Sequence, residues 1–164
     1  ILHLNGYKIA NPTIFGRMNQ DARASVTITA NFKKIITPRQ SVIEWTKPAG
    51  ESATYTTTVD LFKATYFKVS SITHNRGEAT RTFSCTPAVN TEIQNPGNSI
   101  ELTFTAGTDV QDGDQFIITL QADNGASETI TVIIKSKITV YFIHPTVGKG
   151  SFKAVRTNSD NKES

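Results

Sequence analysis

Residues Gln115–Lys135, QFIITLQADNGASETITVIIK, form two runs of alternating apolar and polar residues around an Asp-Asn-Gly sequence. Apolar residues at every second position share one face of a strand, so each run predicts a β-strand with one buried face. An Asn-Gly pair between two such runs is typical of a hairpin turn. The stretch therefore predicts an antiparallel hairpin that covers a hydrophobic core.

The parity of the apolar positions selects the loop length of this hairpin. A two-residue loop would place Ile118 opposite Thr131 and set apolar against polar side chains along the ladder. A three-residue loop, Asp123-Asn124-Gly125 with Gly125 left-handed, pairs Ile118 with Ile130 instead. We therefore expect one face to be buried and the other to carry threonine. The expected buried residues are Phe116, Ile118, Ile130 and Val132, and the opposite face carries Thr119 and Thr129.

Most of the remaining chain repeats this alternation in short segments that end at Pro, Gly or Asn. Threonine supplies most of the polar face, and only 19% of residues are charged. No segment has the period of a helix. The sequence predicts an all-β fold, a two-sheet antiparallel immunoglobulin-like sandwich, with a closed barrel as the alternative. The strand candidates are Val26–Phe32, Ser41–Thr46, Ala53–Leu61, Lys63–Thr73, Ala79–Thr86, Ser99–Thr105, the opening hairpin and Ile138–His144.

Three regions are expected along the chain. Residues 1–24 have Asn-Gly, Asn-Pro and Phe-Gly punctuation and no period, which predicts an irregular N-terminal arm. Residues 25–144 form the predicted sandwich. Residues 145–164 are rich in glycine, lysine and small polar residues and are predicted to form a C-terminal arm or tail.

Charge and cysteine usage exclude several classes of protein. The net charge is +3 and the pI is about 9.0, but the basic residues are scattered. Nucleic acid is not an expected partner, because no Lys/Arg stripe with interleaved aromatic residues is present. A membrane is not expected either, since no apolar run is long enough to span one. Cys85 is the single cysteine, so it forms no intrachain disulfide, and its parity with Phe83 predicts burial.

The sequence carries no catalytic signature, so the chain is predicted not to be an enzyme and to need no cofactor. Asp109, Asp112 and Asp114 surround a glycine and are a candidate calcium site, but their spacing does not fit a calcium-binding loop. The alternative is that these residues form a polar turn between two strands. We therefore predict that the chain binds no metal. The histidines His3, His74 and His144 lack the spacing of zinc ligands.

The aromatic residues allow two interpretations. Trp45 with Tyr55, Tyr66 and Tyr141 could form a sugar-stacking row, or Trp45 could anchor the core of the sandwich. The core interpretation is favoured.

Five apolar residues in the two arms have no period that would place them in the sandwich core. They are Ile9, Ile14, Phe15, Phe152 and Val155. Exposed apolar residues of this size are typical of contact surfaces. We expect these residues to anchor the arms on neighbouring subunits.

Residues Ile1–Arg17, ILHLNGYKIANPTIFGR, resemble a segment of the thiamine-diphosphate domain of phosphoketolases. The resemblance implies that Asn5 and Gly6 would lie beside the metal and the diphosphate of that cofactor. It ends at Arg17, and the acidic Gly-Asp-Gly motif that supplies the other metal ligand in that family has no counterpart here. A phosphoketolase fragment is therefore the disfavoured hypothesis.

From Ala24 to Lys137 the chain resembles the immunoglobulin-like domains of tailed-bacteriophage virion proteins and bacterial surface proteins. The threonine-rich strands and the Gln115–Lys135 hairpin carry this resemblance. It implies a head-decoration or tail-tube subunit, located in the virion, whose arms contact other virion subunits or identical copies.

The competing hypothesis is an adhesin or carbohydrate-binding module at the cell surface or outside the cell. Such a module would bind through loops at one end of the sandwich. The candidate loops are Pro48–Ala53, His74–Glu78 and Glu92–Asn98.

Overall fold

The computed structural model of the chain describes residues 3–11, 13–16, 26–75 and 80–137, with only the backbone described for 13–16, 26–29 and 137. Every regular element in these ranges is a β-strand, which confirms the predicted all-β class. The described residues contain no helix that is long and apolar enough to cross a membrane. The predicted strand Ile138–His144 and the predicted C-terminal arm lie outside the described residues.

Thirteen strands follow one another along the described part of the chain. They are β1 (Tyr7–Ile9), β2 (Thr13–Gly16), β3 (Val26–Thr29), β4 (Phe32–Lys34), β5 (Ile36–Pro38), β6 (Val42–Pro48), β7 (Ala53–Leu61), β8 (Tyr66–His74), β9 (Phe83–Thr86), β10 (Ile93–Gln94), β11 (Ser99–Ala106), β12 (Gln115–Ala122) and β13 (Ser127–Lys137).

Two large sheets form the predicted immunoglobulin-like sandwich. One has the strand order β10-β8-β12-β13-β6 and the other the order β5-β7-β11-β9. The paired strands run antiparallel except β6 and β13, which run parallel at one edge of the five-stranded sheet. No hairpin turn has to join these two strands, because they are far apart in the chain.

The central hairpin has the predicted register. Ile118 pairs with Ile130 and Thr119 pairs with Thr129. The Ala122 N–H donates to the Ala126 carbonyl at 3.1 Å, which leaves three residues in the loop. Gly125 has the expected positive φ of 72°, and Asn124 also has a positive φ, 61°, which the sequence analysis did not predict.

The core lies between the two sheets and is built from alternate residues of their strands. The predicted set Phe116, Ile118, Ile130 and Val132 is buried there. Trp45 is 5% exposed, which confirms its interpretation as a core anchor. Its ring centroid lies 5.5 Å from that of Tyr55. The other buried core residues are Ile35, Ile36, Ile43, Val59, Leu61, Phe67, Val69, Cys85, Leu102, Phe104, Ala106, Val110, Leu120, Ala122, Ala126 and Ile134.

The N-terminal region differs from its prediction. Residues 7–9 and 13–16 are strands, so the arm is not irregular there. The strand expected over Val26–Phe32 is interrupted at Ala30-Asn31 and joins neither large sheet. The reason is that β1 pairs with β4 and β2 pairs with β3. Strands of three or four residues are too short to show a clear alternation, and their partners lie elsewhere in the chain.

These four strands form two consecutive two-stranded sheets, β1–β4 and β2–β3, which are together called the ribbon here. The register is shifted by one residue between the pair Ile9–Phe32 and the pair Thr13–Thr29, as at a β-bulge. At the shift, the Ala10 N–H donates to the Asn31 carbonyl at 2.7 Å. The base of the ribbon, β1–β4, therefore continues into an outer part, β2–β3.

Candidate functional site

The base of the ribbon is attached to the turn of the β12–β13 hairpin. The Gly6 N–H donates to the Asn124 carbonyl at 2.7 Å, and the Ile35 N–H donates to the Gly6 carbonyl at 2.9 Å. The Asn124 side-chain amide donates to the carbonyls of Leu4, at 3.3 Å, and Tyr7. Gly6 has a φ of 82°, which explains why glycine follows Asn5 in this turn. The structure thus places the phosphoketolase-like Asn5-Gly6 pair against the β12–β13 turn.

An ion pair strengthens this attachment. The Lys8 Nζ lies 2.6 Å from the Asp123 carboxylate, and both side chains are mostly buried. Burial raises the pKa of Asp123, but the hydrogen bonds from Lys8 and from the Thr65 N–H lower it by a larger amount. The net pKa of Asp123 therefore lies below the usual value. Asp123 therefore stays ionised at neutral pH and holds Lys8 in place.

The outer part of the ribbon has a different environment. Strands β2 and β3 pair with each other and with no other strand in the described part of the chain. No described strand uses the main-chain N–H and C=O groups on the two outer edges of this pair. Within the described residues, the ribbon is attached at its base and has no strand neighbour along its outer edges.

The predicted interaction residues fall at different places relative to this ribbon. Ile9 lies in β1, is half-buried and pairs with Phe32. Ile14 and Phe15 lie in β2, where Ile14 pairs with Ile28. The other two predicted residues, Phe152 and Val155, lie outside the described residues. Contact of these five residues with a neighbouring subunit stays a prediction.

The structure does not bring the three candidate calcium ligands together around a common centre. Asp109 accepts hydrogen bonds from the Thr82 N–H, at 2.9 Å, and from the Thr82 hydroxyl, at 3.2 Å. Asp112 accepts one from the Ser136 N–H at 2.9 Å. Among the described residues, no group of three or more His, Cys, Asp and Glu residues could hold a metal ion. These carboxylates instead fix the loops between strands.

Asp114 is fully buried and forms a polar network that the sequence analysis missed. Its carboxylate accepts hydrogen bonds from the Arg81 Nε at 2.8 Å and the Gln111 N–H at 2.9 Å, and it lies 3.1 Å from the His74 Nε2. Burial raises the pKa of Asp114, and these hydrogen bonds lower it more, so the net pKa is below the usual value. The His74 ring stacks on Phe116, with centroids 4.8 Å apart.

This network has no local sequence signal, because Arg81 and His74 lie 33 and 40 residues from Asp114. The two other histidines behave differently. The His3 ring lies 2.9 Å from the Asn5 side chain, and His144 lies outside the described residues.

Cys85 is buried, as predicted. Burial raises the pKa of its thiol to about 11. The thiol is therefore protonated at neutral pH and is a poor nucleophile.

No protein-family model matches the chain, and no curated protein matches it in sequence. Solved structures share the fold at low identity. A PapD-like domain of human CEP192 is 12% identical, with a TM-score of 0.45 over 65% of this chain and 87% of that one. WR4, a member of the MSP family of C. elegans, is 9% identical, with a TM-score of 0.41 over 63% of this chain and 98% of that one.

A Bacteroides ovatus GH5 xyloglucanase in complex with a XXXG heptasaccharide is also similar. It is 14% identical, with a TM-score of 0.42 over 72% of this chain and 23% of that one. The fold assignment rests on the chain's own two facing sheets, and these similarities carry no functional information.

Proposed function

We propose that the chain is a non-enzymatic structural protein that joins a larger assembly through its β-ribbon, as a head-decoration or tail-tube subunit of a bacteriophage virion. The observation that carries this proposal is the unpaired outer part of the ribbon, β2–β3. An isolated two-stranded hairpin is marginally stable in water and needs a packing partner. A neighbouring subunit can supply that partner.

The sandwich has a core of its own. Among the residues whose side chains the structure describes, all the buried core residues belong to the segment from Ile35 to Ile134. The edges of β2–β3 offer main-chain hydrogen bonds, which are the basis of strand addition between chains. The virion in particular is supported by the resemblance of the threonine-rich strands to phage immunoglobulin-like domains.

The structure also shows where the chain can be shortened to remove the outer ribbon. Because Ala10 and Asn31 are hydrogen-bonded to each other, residues 11–30 can be replaced by a two-residue Asn-Gly turn without stretching the base. We expect the full chain to form oligomers in analytical ultracentrifugation and the shortened variant to be monomeric. The free energy of unfolding of the sandwich should change by less than about 1 kcal/mol.

Val42→Thr is the matched control, because Val42 is an exposed apolar residue, 56% accessible, on the five-stranded sheet. This variant should assemble like the full chain. If the shortened variant unfolds, the ribbon belongs to the core and the proposed arm is wrong. If the full chain stays monomeric at high concentration, assembly of identical copies through the ribbon is wrong.

A further inference from the structure

The ammonium groups of three lysines, Lys8, Lys33 and Lys63, lie near one another at the base of the ribbon. The Lys33 Nζ lies 5.0 Å from the centroid of the Phe62 ring, and the Lys63 Nζ lies 5.2 Å from the same centroid. Lys8 is directly opposite Lys33 in the register of β1 and β4, and its Nζ donates to the Lys63 carbonyl. Like charges at directly opposite positions of a strand pair repel each other.

Among the described carboxylates, Asp60 attracts Lys33, which helps to lower the pKa of Asp60, but the two form no ion pair. Lys8 pairs with Asp123, but within the described residues Lys33 and Lys63 form no ion pair. Asp60, on β7, is already held by Arg39 at 2.9–3.2 Å. A cation–π contact positions an ammonium group but leaves its charge intact. The Lys63 Nζ also donates to the Ile9 carbonyl at 3.2 Å. Two exposed positive charges are therefore held in place at the surface, and each ammonium group has further N–H donors for an external anion.

Lys63 separates two clefts. One has a volume of about 340 Å³ and is lined by Tyr7, Lys8 and Asn124 among others. The second has a volume of about 480 Å³ and is lined by Phe62, Asn95 and Asn98 among others. Lys63 lines both clefts. Both clefts are shallow and open to solvent, and their size suits single sugar rings rather than a protein surface.

The backbone around these clefts adopts an unfavourable conformation. Lys63, Asn95 and Asn124 have positive φ angles of 55°, 50° and 61°. They are three of the four non-glycine residues with positive φ in the described part of the chain, the fourth being Asn90. Such conformations cost energy and concentrate at binding sites, where the surrounding structure enforces them.

We propose that the two clefts bind an acidic saccharide. The ammonium groups of Lys63, which lines both clefts, and of Lys33, on the same Phe62 ring, take its carboxylate or sulfate group. The side-chain amides of Asn95 and Asn98 and the side-chain oxygen of Asn124, whose NH2 group is already bonded to Leu4 and Tyr7, take hydroxyl groups. Two clefts joined at one cation match a chain of sugar rings that carries an anionic group at the junction. This site is independent of the outer ribbon, and its ligand would bind whether or not the chain assembles.

The test is isothermal titration calorimetry of the full chain with four probes. They are a tetramer of galacturonic acid, a heparin-derived hexasaccharide, neutral maltohexaose and poly-L-glutamate. We expect the two acidic saccharides to bind, with affinities that fall as salt is added, and maltohexaose not to bind. Tighter binding per charge of the galacturonic acid tetramer would indicate that the site recognises a carboxylate group. Tighter binding per charge of the heparin fragment would indicate that it recognises a sulfate group.

The double variant Lys33→Gln, Lys63→Asn should weaken acidic saccharide binding by about tenfold or more. Asn is chosen at position 63 because it tolerates a positive φ. Lys135→Gln, which removes an exposed lysine from the other sheet, is the matched control and should change the affinity by less than about twofold. If the double variant does not fold, Lys33→Gln alone should still lower the affinity by about threefold.

Three results would overturn the proposal. Unchanged binding by the charge variants would show that other lysines attract the saccharide. Poly-L-glutamate that binds as tightly as the saccharides and loses affinity in the same variants would identify the ligand as an acidic peptide. Absence of binding by both acidic saccharides would show that the clefts do not serve this chemistry.

Discussion

The two strand pairs β12–β13 and β2–β3 are both antiparallel but have opposite surroundings. The first lies inside the five-stranded sheet, with β8 on one side and β6 on the other. One of its faces is buried in the core. The second pairs with no other described strand. Two strands can therefore pair in either setting, while the neighbouring strands decide whether that pair stabilises the domain.

This difference separates two uses of the same element. In β12–β13 the main-chain groups of the central strands are used within the sheet, so the hairpin contributes to the stability of the chain itself. In β2–β3 the outer main-chain groups remain for a partner. Substitutions in the first hairpin should affect unfolding, and changes in the second should affect assembly.

The largest expected effect is that of Ile118→Ala. Ile118 is fully buried between the sheets and pairs with Ile130, so its truncation leaves a cavity in the core. The free energy of unfolding should fall by about 2–5 kcal/mol, measured by urea denaturation. Ile117→Ala is the matched control, since Ile117 is 41% exposed on the opposite face, and it should cost less than about 1 kcal/mol. Equal losses in the two variants would contradict the distinction between the faces.

An intermediate effect is expected for Asp114→Asn, next to the start of β12. The substitution removes the buried negative charge and one of the two oxygens, so Arg81 and His74 can no longer both keep a carboxylate oxygen as partner. At pH 7 the free energy of unfolding should fall by about 1–3 kcal/mol.

The pH dependence follows from the lowered pKa of Asp114. Its stabilising contribution is present above the unfolded-state value of about 3.9 and is lost as the pH falls through the lower folded-state pKa. The difference in the free energy of unfolding between the original chain and Asp114→Asn should therefore shrink below about pH 4. Glu101→Gln, at an exposed carboxylate on β11, should show no such convergence. A constant difference down to pH 2 would contradict the role assigned to the Asp114 charge.

The strands of the sandwich could be predicted because their apolar residues alternate over several positions. In Gln115–Lys135 the parity also fixed the register, since a shift of one residue would turn Ile118 outward. The ribbon could not be predicted in the same way. Strand β1 has three residues, and its pairing with Phe32–Lys34 depends on contacts that no local pattern contains.

The candidate sites were harder to predict than the fold, because each combines residues that are distant in sequence. The Lys33-Lys34 pair is visible in the sequence, but Lys8 reaches Lys63 across 55 positions. The DVQDGDQ stretch, residues 109–115, predicts carboxylates in a loop but not the burial of Asp114. Charged residues and turn residues can be recognised from a short stretch of sequence. The fold, in contrast, determines which other residues each of them contacts.

The smallest expected effect is at the contact between the base of the ribbon and the β12–β13 turn, where Lys8 meets Asp123. The side chains are 24% and 19% exposed, so the pair is partly screened by solvent. Lys8→Ala should lower the free energy of unfolding by only about 0.5–1 kcal/mol. Locally, however, it should release residues 3–10 from the turn.

Hydrogen exchange measures this release directly. The amide of Gly6, bonded to the Asn124 carbonyl, and the amide of Ile35, bonded to the Gly6 carbonyl, should exchange faster in Lys8→Ala. Arg39→Ala is the matched control, because Arg39 forms a more exposed ion pair with Asp60, at 2.9 Å, and neither residue is next to Gly6, Ile35 or Asn124 in the chain. Unchanged exchange at Gly6 would show that main-chain hydrogen bonds alone attach the ribbon. A loss of stability above about 2 kcal/mol would instead make the base of the ribbon part of the sandwich core, leaving only β2–β3 as the arm.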